Sequence, residues 1–399
     1  MLFATSILLA WIGLAWGVPP SQVPLVHDVS GRNISLDLFA DLEELARIVD
    51  ISYCVGTTGI QKPFQCRSRC QDFIGFELVT TWNTGPLLSD SCGYVVLSHP
   101  PSSPRIILAF RGTYSITNTV VDLSTFPQEY VPYPVNDDDE ESKNNPKSRP
   151  SLDPPTCTNC TVHSGFFTSW KVTRTLLLPI LKDLVQKYPT YQLTLVGHSL
   201  GGAVAALAAL EFHHRGWNPQ ITTFGEPRIG NAALAQYLDH AFSLTDLVQV
   251  EADRNGLPAM YRRVTHVNDP VPLLPLREWN YNMHAGEIYI SKADLPPSPA
   301  DLEHCVGDAD PSCIGGTETS TSWMERFLSK SADASGDDEM AEGSESWALI
   351  PARFRLWQLF FSHRDYFWRL GLCVPGGDPF HWSRGQDGAG RASPESSGL

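Results

Sequence analysis

A histidine and a serine stand side by side in "TLVGHSLGGAVAALAA" (residues 194–209), fenced by Gly197, Gly201 and Gly202. An apolar stretch enters this junction, and an alanine-rich run suited to a helix leaves it. A plain strand-to-helix turn needs only one glycine, with Ser199 serving as an N-cap. Three glycines around one serine instead match a sharp strand–turn–helix that lifts the hydroxyl above the end of a sheet. The helix N-terminus then points backbone N–H groups at developing negative charge. The chemistry implied is attack by a serine oxygen on a carbonyl carbon.

Such a serine is a weak nucleophile until a base removes its proton, and that base must be held in one tautomer. A histidine and a carboxylate are therefore expected further along the chain. Twelve histidines compete. His198 adjoins Ser199, but neighbouring side chains on a sharp turn diverge, so it reads as structural. His213 and His214 close a helix and suit its dipole. Asp269, in "THVNDPVPLLP", follows a strand and precedes a proline-rich loop, which places it at a sheet edge. Asp246 and Asp253 flank an irregular segment and are weaker candidates.

The elements that must position these residues follow from periodicity. Leu38, Leu42, Leu45 and Val49 recur at helical spacing within 36–54. Residues 93–99 and 104–112 read as two strands around a "PPSSP" turn. A helix over 165–188 leads to a strand at 191–197 and a helix at 199–214. Strand 221–225, helix 231–242, strand 260–267 and strand 286–291 continue the alternation. This is an α/β pattern: a mixed, mostly parallel central sheet flanked by helices. Residues 127–155, rich in proline and charge, and 315–346, of low complexity and acidic, read as insertions. Residues 350–373 are apolar and aromatic enough to pack in a core, and 375–399 form a Gly/Ser/Pro tail. The core domain spans 36–374.

Composition limits the function classes. The chain is 42% hydrophobic and carries a formal net charge of -15, so its surface repels nucleic acid. Residues 1–17 form an apolar run ending in small residues, as in a cleavable secretory signal, followed by a loose leader over 18–35. Nine cysteines suit an oxidising compartment. Cys66 and Cys70, Cys157 and Cys160, and Cys305 and Cys313 can close short loops. Pairing of Cys54 with Cys373 would close a very long one, stabilising by roughly 5 kcal/mol at most. Cys92 is left odd. The C-x-x-C at 157–160 is alternatively a redox or zinc motif, though no second pair accompanies it. Asn33 and Asn159 lie in glycosylation sequons, the second inside a cysteine loop that limits access.

Five motifs in order carry a specific resemblance: "FRGT" (110–113), "CTNCTVHSGFFTSW" (157–170), "GHSLGG", "FGEPRIGN" (224–231) and "VTHVNDPVPLLP" (264–275). The chain resembles the fungal class 3 lipases, secreted α/β-hydrolase-like enzymes, and the related feruloyl esterases. The resemblance implies Ser199 as nucleophile and Asp269 as acid. His363, in a segment similar to the family's "H-x-x-Y-F", is implied as base, with His284, His304 and His266 as alternatives. Thr113 and Leu200 are implied as the two oxyanion donors, and Asp122 as a brace for the Thr113 hydroxyl. Residues 114–126 occupy the place of the family's lid. Ile116, Val120 and Leu123 form one apolar stripe there, although the lid tryptophan of the lipases is absent. The expected substrate is an acylglycerol ester, met through transient contact with a lipid–water interface, with an aromatic ester as the alternative. A non-catalytic binding member of the fold is the third reading. The family chemistry needs neither cofactor nor metal, and no protein partner is implied.

Overall fold

The computed structural model describes residues 32–85, 90–113, 127–132, 156–244, 260–319 and 362–374, all within a unit that begins at Arg32. The signal and most of the leader, the lid positions Ile116, Val120, Asp122 and Leu123, and the carboxylates Asp246 and Asp253 lie outside these residues.

The predicted helical stripe forms α1 (Leu36–Ile51), capped at its start by the Ser35 side chain, which accepts from Leu38 N–H at 3.1 Å. The end of the expected leader packs on the fold. Ile34 is buried, Asn33 bridges to Glu303, and Arg32 pairs with Asp310 at 2.8 Å. Next come β1 (Phe76–Asn83), β2 (Cys92–Ser98) and β3 (Arg105–Phe110), joined as antiparallel neighbours. Strand β4 (Pro127–Glu129) pairs with β5 (Thr161–His163), so the segment expected as the first insertion begins with a short strand. Beyond these lie α2 (Ser164–Lys187), β6 (Gln192–His198), α3 (Leu200–His214), β7 (Gln220–Phe224) and α4 (Ala232–Phe242). The chain then supplies β8 (Tyr261–His266), β9 (Glu287–Ile290), β10 (Leu302–His304) and α5 (Ile314–Thr319). The last of these starts ahead of the second expected insertion and runs into it.

Eight strands form one sheet in the order β1-β2-β3-β6-β7-β8-β9-β10. The run from β3 to β9 is parallel. Alternation along β3 shows how both faces are covered. Ile106, Leu108 and Phe110 join Trp170 and the alanines of α3 on one side. Ile107 and Ala109 join Leu42, Leu45 and Val49 of α1 on the other. Each such aliphatic side chain contributes about 1.5–3 kcal/mol by leaving water. Helix α3 is buried along almost its whole length, which only a helix of small residues tolerates so close to a sheet.

Four disulfides join Cys54 to Cys373, Cys66 to Cys70, Cys157 to Cys160 and Cys305 to Cys313. Cys92 is a free, buried thiol, and burial pushes its pKa up.

Candidate active site

Strand β6 ends on His198 and α3 starts on Leu200, leaving Ser199 between them at φ 57° and ψ -132°. A non-glycine residue there stores about 1–3 kcal/mol of backbone strain, sustained by the packing around it. Its amide is anchored to the Phe224 carbonyl at 2.9 Å. The flanking glycines serve close backbone approach rather than open space around the serine. A Cβ on Gly197 would lie 2.4 Å from the Gly201 carbonyl oxygen, and one on Gly201 would lie 2.4 Å from that of Phe110. The elbow is thus pressed between its own helix and the end of β3.

Asp269 lies beyond the carboxyl end of β8, an interior strand flanked by β7 and β9, rather than on an edge strand. It is 1% exposed, and three donors converge on its carboxylate. The Val271 amide reaches Oδ1 at 2.9 Å and the Tyr366 hydroxyl reaches Oδ2 at 2.5 Å. His363 Nδ1 lies 2.9 Å from both oxygens. The proton on that bond belongs to Nδ1, which leaves Nε2 of the neutral ring as a lone pair. His363 Nε2 is buried and has no hydrogen-bond partner among the described residues.

His198 does not simply point away. Its Nε2 lies 2.9 Å from the backbone carbonyl of His363, and its Nδ1 lies 2.5 Å from the Tyr53 hydroxyl. A carbonyl can only accept, so Nε2 carries the hydrogen. Burial holds the His198 pKa well below 6.5, so the ring is neutral and Nδ1 accepts from Tyr53. The His198 and His363 rings stack with centroids 4.7 Å apart. The histidine beside the serine therefore fixes the backbone of the histidine that faces Asp269.

Of the alternative histidines, His266 also has a buried Nε2 without a hydrogen-bond partner among the described residues, but only His363 has its Nδ1 on the Asp269 carboxylate. His284 Nε2 lies 2.8 Å from Glu226 Oε1, the amide of His304 bonds Arg32, and His266 accepts from the Asn268 amide at 3.5 Å. Thr113 lies three residues past the end of β3, partly buried. A Cβ on Gly112, its neighbour, would come within 2.8 Å of Ser199 Cβ, so this strand end abuts the elbow. Leu200 is the first residue of α3, where an amide has no helical acceptor four residues back. Asn33 and Asn159 are both exposed, the latter at the tip of its disulfide turn, where access is open.

Residue type and spacing give Gly225 and Tyr53 no role, although Gly225 lies in the "FGEPRIGN" segment that carries the resemblance. Gly225 has φ 60°, and a Cβ there would meet His363 Cε1 at 2.7 Å and Asp269 Oδ2 at 2.8 Å. Tyr366 carries a signal, since it lies three residues after His363 in the segment that resembles the family.

Residues 107–279 match the class 3 lipase family pattern. The "secreted mono- and diacylglycerol lipase 2" of Gibberella zeae is 51% identical over 403 aligned positions, spanning 96% of this chain and 95% of that protein. The chain belongs to the class 3 lipases. Lipase A of Sodiomyces alcalophilus is 50% identical over 92% of this chain and 90% of its own. The crystal structure of Lip2 lipase from Yarrowia lipolytica superposes with a TM-score of 0.64 at 24% identity, covering 86% of this chain and 97% of that one, a likeness of fold. As a class 3 lipase the protein is an ester hydrolase on an α/β-hydrolase-type fold.

Proposed function

We propose that this lipase is a secreted hydrolase of acylglycerol esters, mono- and diacylglycerols foremost, working through Ser199, His363 and Asp269. The observation that carries the reading is the His363 ring: Nδ1 tied to a buried carboxylate, Nε2 uncommitted, and the backbone pinned by the residue beside Ser199. The likeness to a protein named for mono- and diacylglycerols supports the substrate class.

In the first step His363 Nε2 takes the Ser199 proton while Oγ forms a bond to the ester carbonyl carbon. The resulting oxyanion is held by the amides of Thr113 and Leu200, each contributing about 2.7–4 kcal/mol to the barrier reduction. The C–O bond to the alcohol breaks as Nε2–H protonates the leaving oxygen, giving an acyl-Ser199 ester. Water then gives a proton to the same nitrogen and attacks the acyl carbon, and collapse returns the proton to Ser199 as the fatty acid departs. Asp269 keeps the ring in the productive tautomer throughout.

Access to insoluble substrate is assigned to residues 114–126, whose Ile116, Val120 and Leu123 stripe is suited to transient contact with a lipid surface. Asp122 is assigned the bracing of Thr113. Asn33 and Asn159 are assigned as glycan acceptors, and a mass shift on endoglycosidase treatment, absent in N33Q/N159Q, checks this. The deciding experiment is a panel of mono-, di- and triacylglycerols and methyl ferulate with the wild type and S199A. Hydrolysis of partial glycerides that falls by a factor on the order of 10⁶ in S199A fits the proposal. Turnover of methyl ferulate with none of the glycerides contradicts it.

A further inference from the structure

Arg228 lies between β7 and α4 and is only 2% exposed. Its backbone amide donates to the Leu274 carbonyl at 2.7 Å. Its Nη1 donates to the carbonyls of Leu273 at 2.8 Å and Pro275 at 3.0 Å. One residue thus grips three consecutive carbonyls on a segment 45 to 47 positions further along the chain. A buried guanidinium is costly unless its donors are used, and its rigid fork suits a row of oxygens better than an ammonium does.

The gripped segment is the one that presents the acid. It follows Asp269 directly through the short 3-10 turn Val271–Leu273, whose first amide donates to Asp269 Oδ1. On the other side, Gly225 lies three residues before Arg228 and packs against both His363 and Asp269. Arg228 therefore closes a bracket between the β7 turn that backs the pair and the loop that carries its acid. The side chains of Val271, Leu273 and Leu274 are buried and apolar, and their amides bond within the turn and to Asp269, so Arg228 is the residue that ties this loop's carbonyls to the β7 side.

We propose that Arg228 is a positioning residue for the hydrolytic reaction: by clamping the carbonyls of 273–275 it holds the Val271 amide and the Asp269 carboxylate in register with His363. The proposal rests on the triad reading above. Loosening the clamp misplaces the acid without touching the groups that bind ester, so the turnover step suffers and substrate affinity does not.

The test compares R228M, R228K, D269A and the wild type as full-length secreted enzyme on a dissolved short-chain p-nitrophenyl ester. Thermal midpoints are recorded alongside the low-field proton resonance of the His363 Nδ1–H. R228M is expected to lose about 100-fold in kcat, the size of effect produced by an ångström of misplacement. KM stays within about twofold, because uniform binding is intact. The low-field resonance broadens or disappears, and R228K, which retains a donor, recovers part of the loss. A folded R228M with wild-type kcat and resonance overturns the clamp, as does a loss that R228K does not relieve and KM shares in proportion. If R228M does not fold, R228K decides: lowered kcat at unchanged KM supports the clamp, and wild-type kcat overturns it. D269A retaining full activity would instead sink the triad reading, whereas inactive D269A beside fully active R228M removes only the clamp.

Discussion

Two residues packed against the acid make sharp residue-scale predictions. Tyr366 is fully buried, and its hydroxyl lies on Asp269 Oδ2. Hydrogen bonds to charged groups are worth about 1.5–3 kcal/mol, so Y366F is expected to lower kcat by at least roughly 10-fold. KM for a soluble ester should stay put, and steady-state kinetics check both. Gly225 faces the pair without a side chain. G225A would force a methyl group into His363 Cε1 and Asp269 Oδ2 at a backbone angle that alanine resists. Activity is expected to drop by about 100-fold or more through misplacement, measured on purified folded protein. The roles proposed for Ser199, Asp269 and His363 could be traced from residue type, chain order and resemblance, and the structure places His363 against Asp269. The contact of His198 with His363 could not, because it depends on the base segment folding back over the elbow, and adjacency in sequence suggests the opposite.

Elements follow their periodicity where one period dominates. The β2–β3 hairpin and the alternation from α2 to β9 fall within a residue or two of the positions that spacing predicts, and α1 ends three residues early, where a 3-10 turn takes over. Strand β1 is different. Phe76, Leu78 and Trp82 are buried, yet a register shift between Leu78 and Thr80 breaks the two-residue alternation. Strands β4 and β5 are three residues each, too short to carry any period, and exist because Tyr130 and Cys160 bring them together. Asn231 shows how an element start becomes a joint. Its side chain caps α4 through Leu234 N–H, accepts from the Thr161 amide and donates to the Asn159 carbonyl. N231A is therefore expected to cost more than the roughly 1 kcal/mol of a simple cap, about 2–3 kcal/mol in all. Urea denaturation checks this, and a loss under 1 kcal/mol would assign the cap alone.

At the scale of the whole molecule, histidines buried in the neutral form set an acid limit. Burial, helped by His213, brings His214 down to about 4 from 6.5 where it packs on Tyr237. Between those values the unfolded chain binds a proton that the folded one refuses. Stability from this group is complete above about pH 6.5 and is lost as pH falls through about 4. The buried carboxyls Asp50 and Asp239, whose pKa values are raised chiefly by desolvation, act in the opposite direction. Comparison with H214Q isolates the histidine: its thermal midpoint should fall less steeply between pH 6.5 and 4 than that of the wild type, and equal slopes would contradict the assignment.

The Cys54–Cys373 bond, which spans 319 positions, has a consequence in time as well as in stability. Synthesis runs from the N-terminus, so the strand carrying Ser199 and the loop carrying Asp269 emerge well before His363. The covalent tie that anchors the His363 segment joins a cysteine ten residues beyond it to the neighbour of Tyr53. On the proposed triad, a nascent chain that has not yet released its last segment holds the nucleophile and the acid before the base is in place. On that reading hydrolytic competence waits for the segment that carries His363, and the Cys54–Cys373 bond then adds a covalent tie to the noncovalent hold of His198 and Asp269.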